Sequence, residues 1–264
     1  MKVLVLGTSH SASLRMSADW IKRAYPSLEV DYFSLPGIVH SRSLMIGSTF
    51  GPTPSDAYGC KMSQQWNGSL IVDLAPYAQI FHVGERFAMG AVTRLMADYD
   101  ILEHEERSLR PVMSLSAARA LIGSAVYDFV EARHDVFGDD RRITFMPAPY
   151  PLARSAKRGP GFENTMSRLN KRHTAADWSQ IYEHAMGTSL ADFGYRFIAQ
   201  PMHTRQGIFA TQDIFARPKS SVADVGDKVD NRHTNANYGQ EIFAAYAQSQ
   251  LGLAPLEMAS APQS

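Results

Sequence analysis

The sequence predicts an α/β fold with a mostly parallel sheet. Short apolar runs alternate along the chain with segments whose apolar residues recur at helical spacing. This alternation is typical of strands that are joined by crossover helices. The first apolar run, Val3-Leu4-Val5-Leu6, has no polar position, as expected of a strand that is buried on both faces of a parallel sheet. With 264 residues, of which 45% are hydrophobic, the chain can bury a sizeable core.

Five strands are predicted, and a Gly or Pro closely follows each of them. Such residues end strands, because Gly favours turns and Pro cannot donate to the hydrogen-bond ladder. The predicted strands are Lys2–Leu6, Glu29–Leu35, Gln79–Val83, Arg142–Met146 and Tyr195–Ala199.

Four helices are predicted from apolar residues that are spaced for one helical face. In the first helix Leu14, Ala18 and Ile21 share a face, and Pro26 ends the helix. The predicted helices span about Ser11–Tyr25, Ser114–His134, Asp177–Met186 and Asn237–Gln250.

The rest of the chain is predicted to be irregular. Residues 38–68 carry Gly, Pro and Ser at short intervals, and long excursions of this kind are often functional. Residues 154–171 are predicted to form a loop or cap. No shift in composition marks a boundary, so we expect one domain over residues 1–254 and a flexible tail at 255–264.

The composition excludes several classes of protein. Lys and Arg number 26, as do Asp and Glu, so no basic excess is present to neutralise nucleic-acid phosphates. The single cysteine, Cys60, cannot form an intrachain disulfide. No window of about 18 residues is strongly apolar and uncharged, and the first apolar run is shorter than the about 7–15 residues of a secretory signal. We therefore expect a soluble, cytoplasmic protein without a membrane span.

No cofactor or metal is predicted. No Gly-x-Gly-x-x-Gly or Walker-type loop follows the first strand, and the nine histidines show no His-Glu-x-x-His spacing. The expected partner is a small-molecule or carbohydrate substrate, and the sequence does not indicate an oligomeric state.

A first candidate motif, Gly7-Thr8-Ser9-His10-Ser11, lies between the first strand and the first helix. Ligands of such sheets bind at the carboxyl ends of the strands, and a helix N-terminus offers free N–H groups to a developing anion. Ser9 is therefore a candidate nucleophile. A serine at this position can equally cap the helix or belong to a phosphate-binding turn.

A second candidate motif precedes the last helix. Asp230 and His233 are three residues apart, so their side chains can be directed toward one point. His supplies a base near neutral pH, and a carboxylate on its second nitrogen would fix the tautomer and stabilise the imidazolium. In the alternative interpretation this polar segment only caps the helix, through Thr234 or Asn235.

Taken together, the Gly-x-Ser and Asp-x-x-His motifs resemble the SGNH (GDSL-like) hydrolase superfamily over nearly the whole chain. The resemblance implies a flavodoxin-like, three-layer α/β/α sandwich with strand order 2-1-3-4-5. Members of the family are esterases, lipases, carbohydrate acetylesterases and some acyltransferases. The resemblance further implies that Ser9 is the nucleophile, His233 the general base and Asp230 the residue that orients this base.

The resemblance also implies an oxyanion hole, and here the sequence departs from the family pattern. The family uses the nucleophile's amide, a Gly after the second strand and an Asn after the third. Gly37 matches the Gly, whereas Arg86 occupies the Asn position in Gly84-Glu85-Arg86-Phe87. Thr8 also replaces the usual Asp of the first motif. The predicted oxyanion donors are therefore Ser9, Gly37 and Arg86.

Further residues are expected near the substrate from their places in the sequence. We predict that His10, Gly84 and His203 bind substrate, because they lie at or next to the carboxyl ends of predicted strands. Asn67 is a second candidate for the missing oxyanion donor, and Glu85 is expected to pair with its neighbour Arg86.

The predicted activity is that of a serine ester hydrolase acting on a carbohydrate or small-molecule O-acyl ester through an acyl-enzyme. Two alternatives remain open at this point. One is an acyltransferase that uses a glycan as acceptor. The other, favoured by Arg86, is a non-catalytic binding or assembly protein of polysaccharide biosynthesis on the same fold.

Overall fold

The structure is a computed structural model, which describes residues 1–104, 109–157, 161–218 and 233–256. The chain divides into two compact units. The first unit comprises residues 1–83 and 233–264, and the second comprises residues 84–232. Most of the predicted flexible tail, residues 257–264, lies outside the described residues.

A five-stranded parallel sheet is the centre of the fold, and its strand order is β10-β9-β6-β1-β2. In terms of its five strands along the chain this order is 2-1-3-4-5, so the predicted α/β/α fold class is confirmed. A three-stranded antiparallel sheet, β3-β4-β5, and a two-stranded pair, β7-β8, accompany it. The strands are β1 (Lys2–Gly7), β2 (Glu29–Ser34), β3 (Leu44–Ile46), β4 (Thr49–Gly51), β5 (Val72–Asp73), β6 (Gln79–Glu85), β7 (Asp100–Ile101), β8 (Val112–Met113), β9 (Ile143–Pro147) and β10 (Arg196–Phe197).

The helices alternate with the strands of the central sheet. All four predicted helices occur, although the first is interrupted at Ser17 and so forms two short helices. The helices are α1 (Ala12–Met16), α2 (Ala18–Ala24), α3 (Gly37–His40), α4 (Ala57–Asn67), α5 (Met89–Asp98), α6 (Leu115–Phe137), α7 (Phe162–Asn170), α8 (Ala175–Asp192) and α9 (Ala236–Tyr246). None of the described helices combines the length and the hydropathy that crossing a bilayer requires.

The prediction that residues 38–68 are irregular is wrong, because this segment contains α3, β3, β4 and α4. Polar and small residues of this segment cap the helix α4. The Asp56 carboxylate accepts the Gly59 N–H (2.8 Å) at the start of α4, and Gly68 ends that helix with a left-handed backbone (φ +71°). Residues 154–171 are predicted to form a loop or cap; the loop alternative is wrong, since the segment contains α7.

The core of the first unit forms between β1, β6 and α9. Residues 3–6 of β1 are fully buried, as a strand covered on both faces must be. The ring of Phe81 on β6 stacks on the ring of Tyr246 on α9, with centroids 4.2 Å apart and planes 7° from parallel. α9 also packs against α1, so the helix that follows His233 is held beside the helix that follows Ser9.

The core of the second unit forms where α6 packs against α8. Two arginines of this unit have buried side chains that are paired with carboxylates. Arg205 pairs with Glu183 (2.8 Å), and Arg172 pairs with Asp100 while also donating to the Tyr99 carbonyl (2.9 Å). Because breaking a buried ion pair leaves an uncompensated charge, these pairs fix the segments that carry them.

Candidate functional site

The turn that carries Ser9 begins at a point where only glycine fits. Gly7 is the last residue of β1 and is paired with Val83 of β6. A Cβ atom at Gly7 would lie 2.0 Å from the Val83 carbonyl oxygen, well inside van der Waals contact. The next amide, that of Thr8, donates to the same carbonyl (3.0 Å). The chain therefore leaves β1 in close contact with β6.

Ser9 follows as the first residue of a short 3₁₀ helix, Ser9–Ser11. Thr8 caps this helix, since its hydroxyl accepts the His10 N–H (3.4 Å). Ser9 is therefore not the cap, and its side chain is available for another contact. Its Oγ lies 3.1 Å from Nε2 of His233, which is hydrogen-bond distance.

The structure thus brings together Ser9 and His233, which are 224 positions apart in the sequence. Both residues are half-buried, so a substrate can reach them while bulk water is partly excluded. A serine hydroxyl within hydrogen-bond reach of an imidazole is the arrangement that activates a nucleophile. Asp230, the predicted orienting residue, lies outside the described residues.

The imidazole of His10 lies beside that of His233. The two ring centroids are 5.4 Å apart, with the planes tilted by 38°. His10 is half-buried. Its predicted role in substrate binding stays a prediction.

The start of α9 sets the position of His233. Asn235 caps α9, because its side-chain oxygen accepts the Tyr238 N–H (3.1 Å), as one of the two sequence alternatives predicts. Ser17 Oγ donates to the Ala236 carbonyl (2.7 Å). At Gly239 the helices touch, since a Cβ there would lie 2.2 Å from the Ser13 carbonyl oxygen. The start of α9, which follows His233 by three residues, is therefore fixed by the contact between α1 and α9.

Two backbone amides of the first unit are available as oxyanion donors. In the part of the chain that the structure describes, the Ser9 and Gly37 N–H groups donate to no acceptor. Gly37 begins α3 directly after Pro36, and a first-turn amide has no acceptor within its own helix. Two of the three predicted donors therefore have an N–H group that is not used within the described fold, and their oxyanion role stays a prediction.

Asn67 has a different role from the predicted one. Its Oδ1 accepts the Ser34 N–H (2.9 Å) and Nη2 of Arg15 (3.0 Å), and its Nδ2 donates to the carbonyls of Ser34 (2.9 Å) and Ser63 (3.2 Å). Both amide hydrogens are used within the fold. The Asn67 side chain therefore joins the end of α4 to the end of β2.

Three of the predicted site residues, Arg86, Gly84 and His203, belong to the second unit. Arg86 is exposed, and its guanidinium lies over the Phe162 ring, 5.5 Å from the centroid. His203 is exposed in a short 3₁₀ helix, and its carbonyl accepts Nε2 of Gln212 (2.8 Å). The predicted oxyanion and substrate-binding roles of these residues stay predictions.

The expected pairing of Glu85 with Arg86 does not occur. The Glu85 carboxylate instead lies 3.5 Å from Nη1 of Arg133 on α6, and both of these side chains are buried. Adjacent residues at the end of a strand point to opposite faces, so Glu85 turns toward α6 while Arg86 turns toward solvent.

A left-handed turn follows β6, and the sequence contains no signal for it. Phe87 (φ +37°) and Ala88 (φ +56°) are the positive-φ residues other than glycine that the described chain contains. Tyr182 holds the turn, since its hydroxyl lies within hydrogen-bond reach of the carbonyls of Arg86 (3.1 Å) and Phe87 (2.9 Å). The Phe87 ring is fully buried and lies close to the ring of Phe129 (5.2 Å). Such strain persists only where the surroundings enforce it.

The strain at Ala88 leads to a stability prediction. A non-glycine residue in the left-handed region costs about 1–2 kcal/mol, whereas glycine loses about 0.5–1 kcal/mol of backbone entropy. We expect Ala88→Gly to raise the free energy of unfolding by up to about 1 kcal/mol in denaturant titrations. Ala91→Gly, an exposed position inside α5, is the matched control and should lower it by about 1 kcal/mol. Equal losses in both variants would contradict the strain argument.

A buried histidine pair lies in the first unit. Nε2 of His40 on α3 and Nε2 of His82 on β6 are 3.1 Å apart, and both residues are at most 1% exposed. One ring donates and the other accepts, so the pair ties the segment that begins at Gly37 to the sheet.

The solved structures with which the chain aligns include the following two. An extracellular lipase from Streptomyces rimosus is 13% identical, with 94% of this chain and 99% of the lipase covered and a TM-score of 0.41. The periplasmic domain of a lipopolysaccharide acetyltransferase from Salmonella ser. Paratyphi A is 12% identical, with 95% and 83% covered and a TM-score of 0.34. No family model and no curated protein matches the chain. At these identities and TM-scores neither similarity identifies a reaction.

Proposed function

We propose that the protein is a serine ester hydrolase in which Ser9 is the nucleophile and His233 the general base. The observation that carries this proposal is the 3.1 Å distance between Ser9 Oγ and His233 Nε2. The resemblance of the two motifs to the SGNH hydrolases supports the same assignment. A binding protein on this fold would have no need to hold a serine and an imidazole in this contact.

The proposed reaction begins with proton transfer. Ser9 Oγ attacks the ester carbonyl carbon while His233 Nε2 takes the hydroxyl proton. Asp230 would accept the hydrogen of the other ring nitrogen and stabilise the imidazolium. His233 then gives its proton to the leaving alcohol, and the acyl group remains on Ser9. Water, activated by the same imidazole, releases the acid and regenerates the serine.

The negative oxygen of the tetrahedral intermediate requires donors that are already in place. We assign this role to the Ser9 and Gly37 amides, whose N–H groups donate to no acceptor among the described residues. His10, whose ring lies beside His233, would contact the substrate. We further propose a small, uncharged O-acyl ester, including esters of carbohydrates, as the substrate class.

Labelling of the wild-type protein tests the proposal directly. We expect a serine-directed phosphonate to add one adduct to Ser9, located by mass spectrometry of the digested protein, and p-nitrophenyl acetate or butyrate to be turned over. Absence of both adduct and turnover would overturn the hydrolase assignment. If turnover in the presence of sugar acceptors yields acylated sugar in place of free acid, the protein is an acyltransferase that uses the same acyl-enzyme.

A further inference from the structure

We propose that Ser11 and Ser34 are positioning residues that aim the Ser9 amide at the oxyanion, and that Asn67 anchors them. The inference rests on the proposed function and names residues that this function does not assign. Ser11 and Ser34 are 0% and 5% exposed, so their hydroxyls are placed by the protein and not by solvent.

The Ser9 N–H belongs to the same peptide plane as the Thr8 carbonyl. In a trans peptide these two groups point in opposite directions, so whatever fixes the carbonyl also fixes the amide. Ser11 donates to this carbonyl twice, through its backbone N–H (3.0 Å) and through its Oγ (2.7 Å). Both lone pairs of the Thr8 oxygen are thereby used, and the direction of the Ser9 N–H is set.

Ser34 in turn holds the hydroxyl of Ser11. The two Oγ atoms are 2.6 Å apart. Because the single hydroxyl hydrogen of Ser11 goes to Thr8, the Ser34 hydroxyl is the donor of this bond. Ser34 ends β2 and lies three residues before Gly37, the second proposed donor. Ser34 thus contacts the turn that carries the Ser9 amide, and its strand leads to the Gly37 amide.

Asn67 holds the backbone of Ser34 as a neighbouring strand would. Its side-chain amide accepts the Ser34 N–H and donates to the Ser34 carbonyl, both at 2.9 Å. Arg15 of α1 secures Asn67 through Nη2 (3.0 Å) and donates through Nη1 to the Trp66 carbonyl (2.5 Å). Hydrogen bonds therefore link the turn at Thr8 to Ser34 of β2 and on to Asn67 of α4, and Arg15 of α1 joins them at Asn67.

The hydrogen bonds from Thr8 to Asn67 should stabilise the transition state more than the ground-state ester. The reason is that the Ser9 amide dipole interacts most strongly with the carbonyl oxygen when this oxygen becomes negative. Loss of a whole oxyanion donor costs about 10²–10³ in kcat. A loosened donor should cost part of this. We expect Ser11→Ala to lower kcat on p-nitrophenyl butyrate about 10- to 100-fold while KM changes less than about twofold.

The control separates positioning from stability. Ser43 is 1% exposed and donates through Oγ to the Val39 carbonyl (3.0 Å). Ser43→Ala therefore also removes a buried serine hydroxyl, but it leaves the hydrogen bonds from Thr8 to Asn67 unchanged. The double variant Ser11→Ala/Ser34→Ala removes both partners of the 2.6 Å bond and leaves no hydroxyl orphaned. It should regain thermal stability relative to Ser11→Ala and still show the low kcat.

Several outcomes would overturn the inference. The first is that Ser11→Ala and Ser43→Ala have equal kcat. The second is that the double variant regains both its thermal stability and its kcat. The third is that Ser11→Ala changes KM and leaves kcat unchanged. Each leaves the proposed function standing as long as the wild type is labelled at Ser9. A wild type without adduct or turnover overturns the proposed function first, so the two failures are distinguishable.

Discussion

Ser9→Ala is expected to lower kcat/KM for p-nitrophenyl esters by about 10⁴- to 10⁶-fold and to abolish phosphonate labelling. The reason is that no acyl-enzyme can form without the nucleophile, and only the oxyanion amides and substrate binding remain. His233→Ala should cost about as much, since its Nε2 is the group that lies 3.1 Å from Ser9 Oγ.

Non-additivity distinguishes this mechanism from two independent contributions. When two residues act as one unit, removing either of them already removes the rate enhancement of both. Ser9→Ala/His233→Ala should therefore be no slower than either single variant. Initial rates and melting temperatures measure this, with Ser249→Ala, an exposed serine near the end of the last helix, as the control that keeps full activity. Single-variant losses below about tenfold would contradict the assignment of Ser9 as nucleophile.

The strands could be predicted because their signals are local, whereas the strand order is implied by the resemblance of the two motifs to the SGNH hydrolases. Buried parallel strands are short apolar runs, and the Gly or Pro behind each run marks the end of the strand. Gly7 shows why the signal is reliable, since the approach of Val83 leaves no space for a Cβ. The helices followed from spacing, although the first is divided at Ser17, whose Oγ lies 2.7 Å from both the Ser13 carbonyl and the Ala236 carbonyl of α9.

The proximity of Ser9 and His233 could be predicted from topology. The first strand and the last helix meet at the carboxyl edge of such a sheet, and the resemblance of two short motifs named which side chains meet there. The hydrogen-bond chain behind Ser9 could not be predicted. It depends on where Ser34 and Asn67 meet, and no sequence motif connects these two residues, which are 33 positions apart.

Other errors arose where tertiary contacts decide the local conformation. Gly, Ser and Pro in residues 38–68 predict loops, but there Asp56 and Gly68 cap a helix. Phe87 and Ala88 are ordinary residues in a left-handed turn, which the Tyr182 hydroxyl and the surrounding aromatic rings enforce. α5 begins at this turn without a capping side chain, which is why no start signal predicts it.

Gly239→Ala is expected to separate the side chains of Ser9 and His233, the proposed nucleophile and base, without touching either of them. The new Cβ would lie 2.2 Å from the Ser13 carbonyl oxygen and 2.3 Å from Ser17 Oγ. Since ordinary contacts need more than 3 Å, α9 must move away from α1 by about 1 Å. A displacement of about this size can cost about 10² in rate, and overpacking costs about 1–3 kcal/mol in stability.

The control is a glycine that nothing crowds. Gly123 lies inside α6, and a Cβ there would have open space around it. Gly123→Ala should therefore raise the free energy of unfolding by about 0.5–1 kcal/mol and leave kcat/KM unchanged. Ser17→Ala, which removes the bond to the Ala236 carbonyl without adding an atom, should reduce the rate less than Gly239→Ala. A Gly239→Ala protein that retains wild-type kcat/KM would mean that α9 does not position His233, and the base would then have to be held by the segment that precedes it.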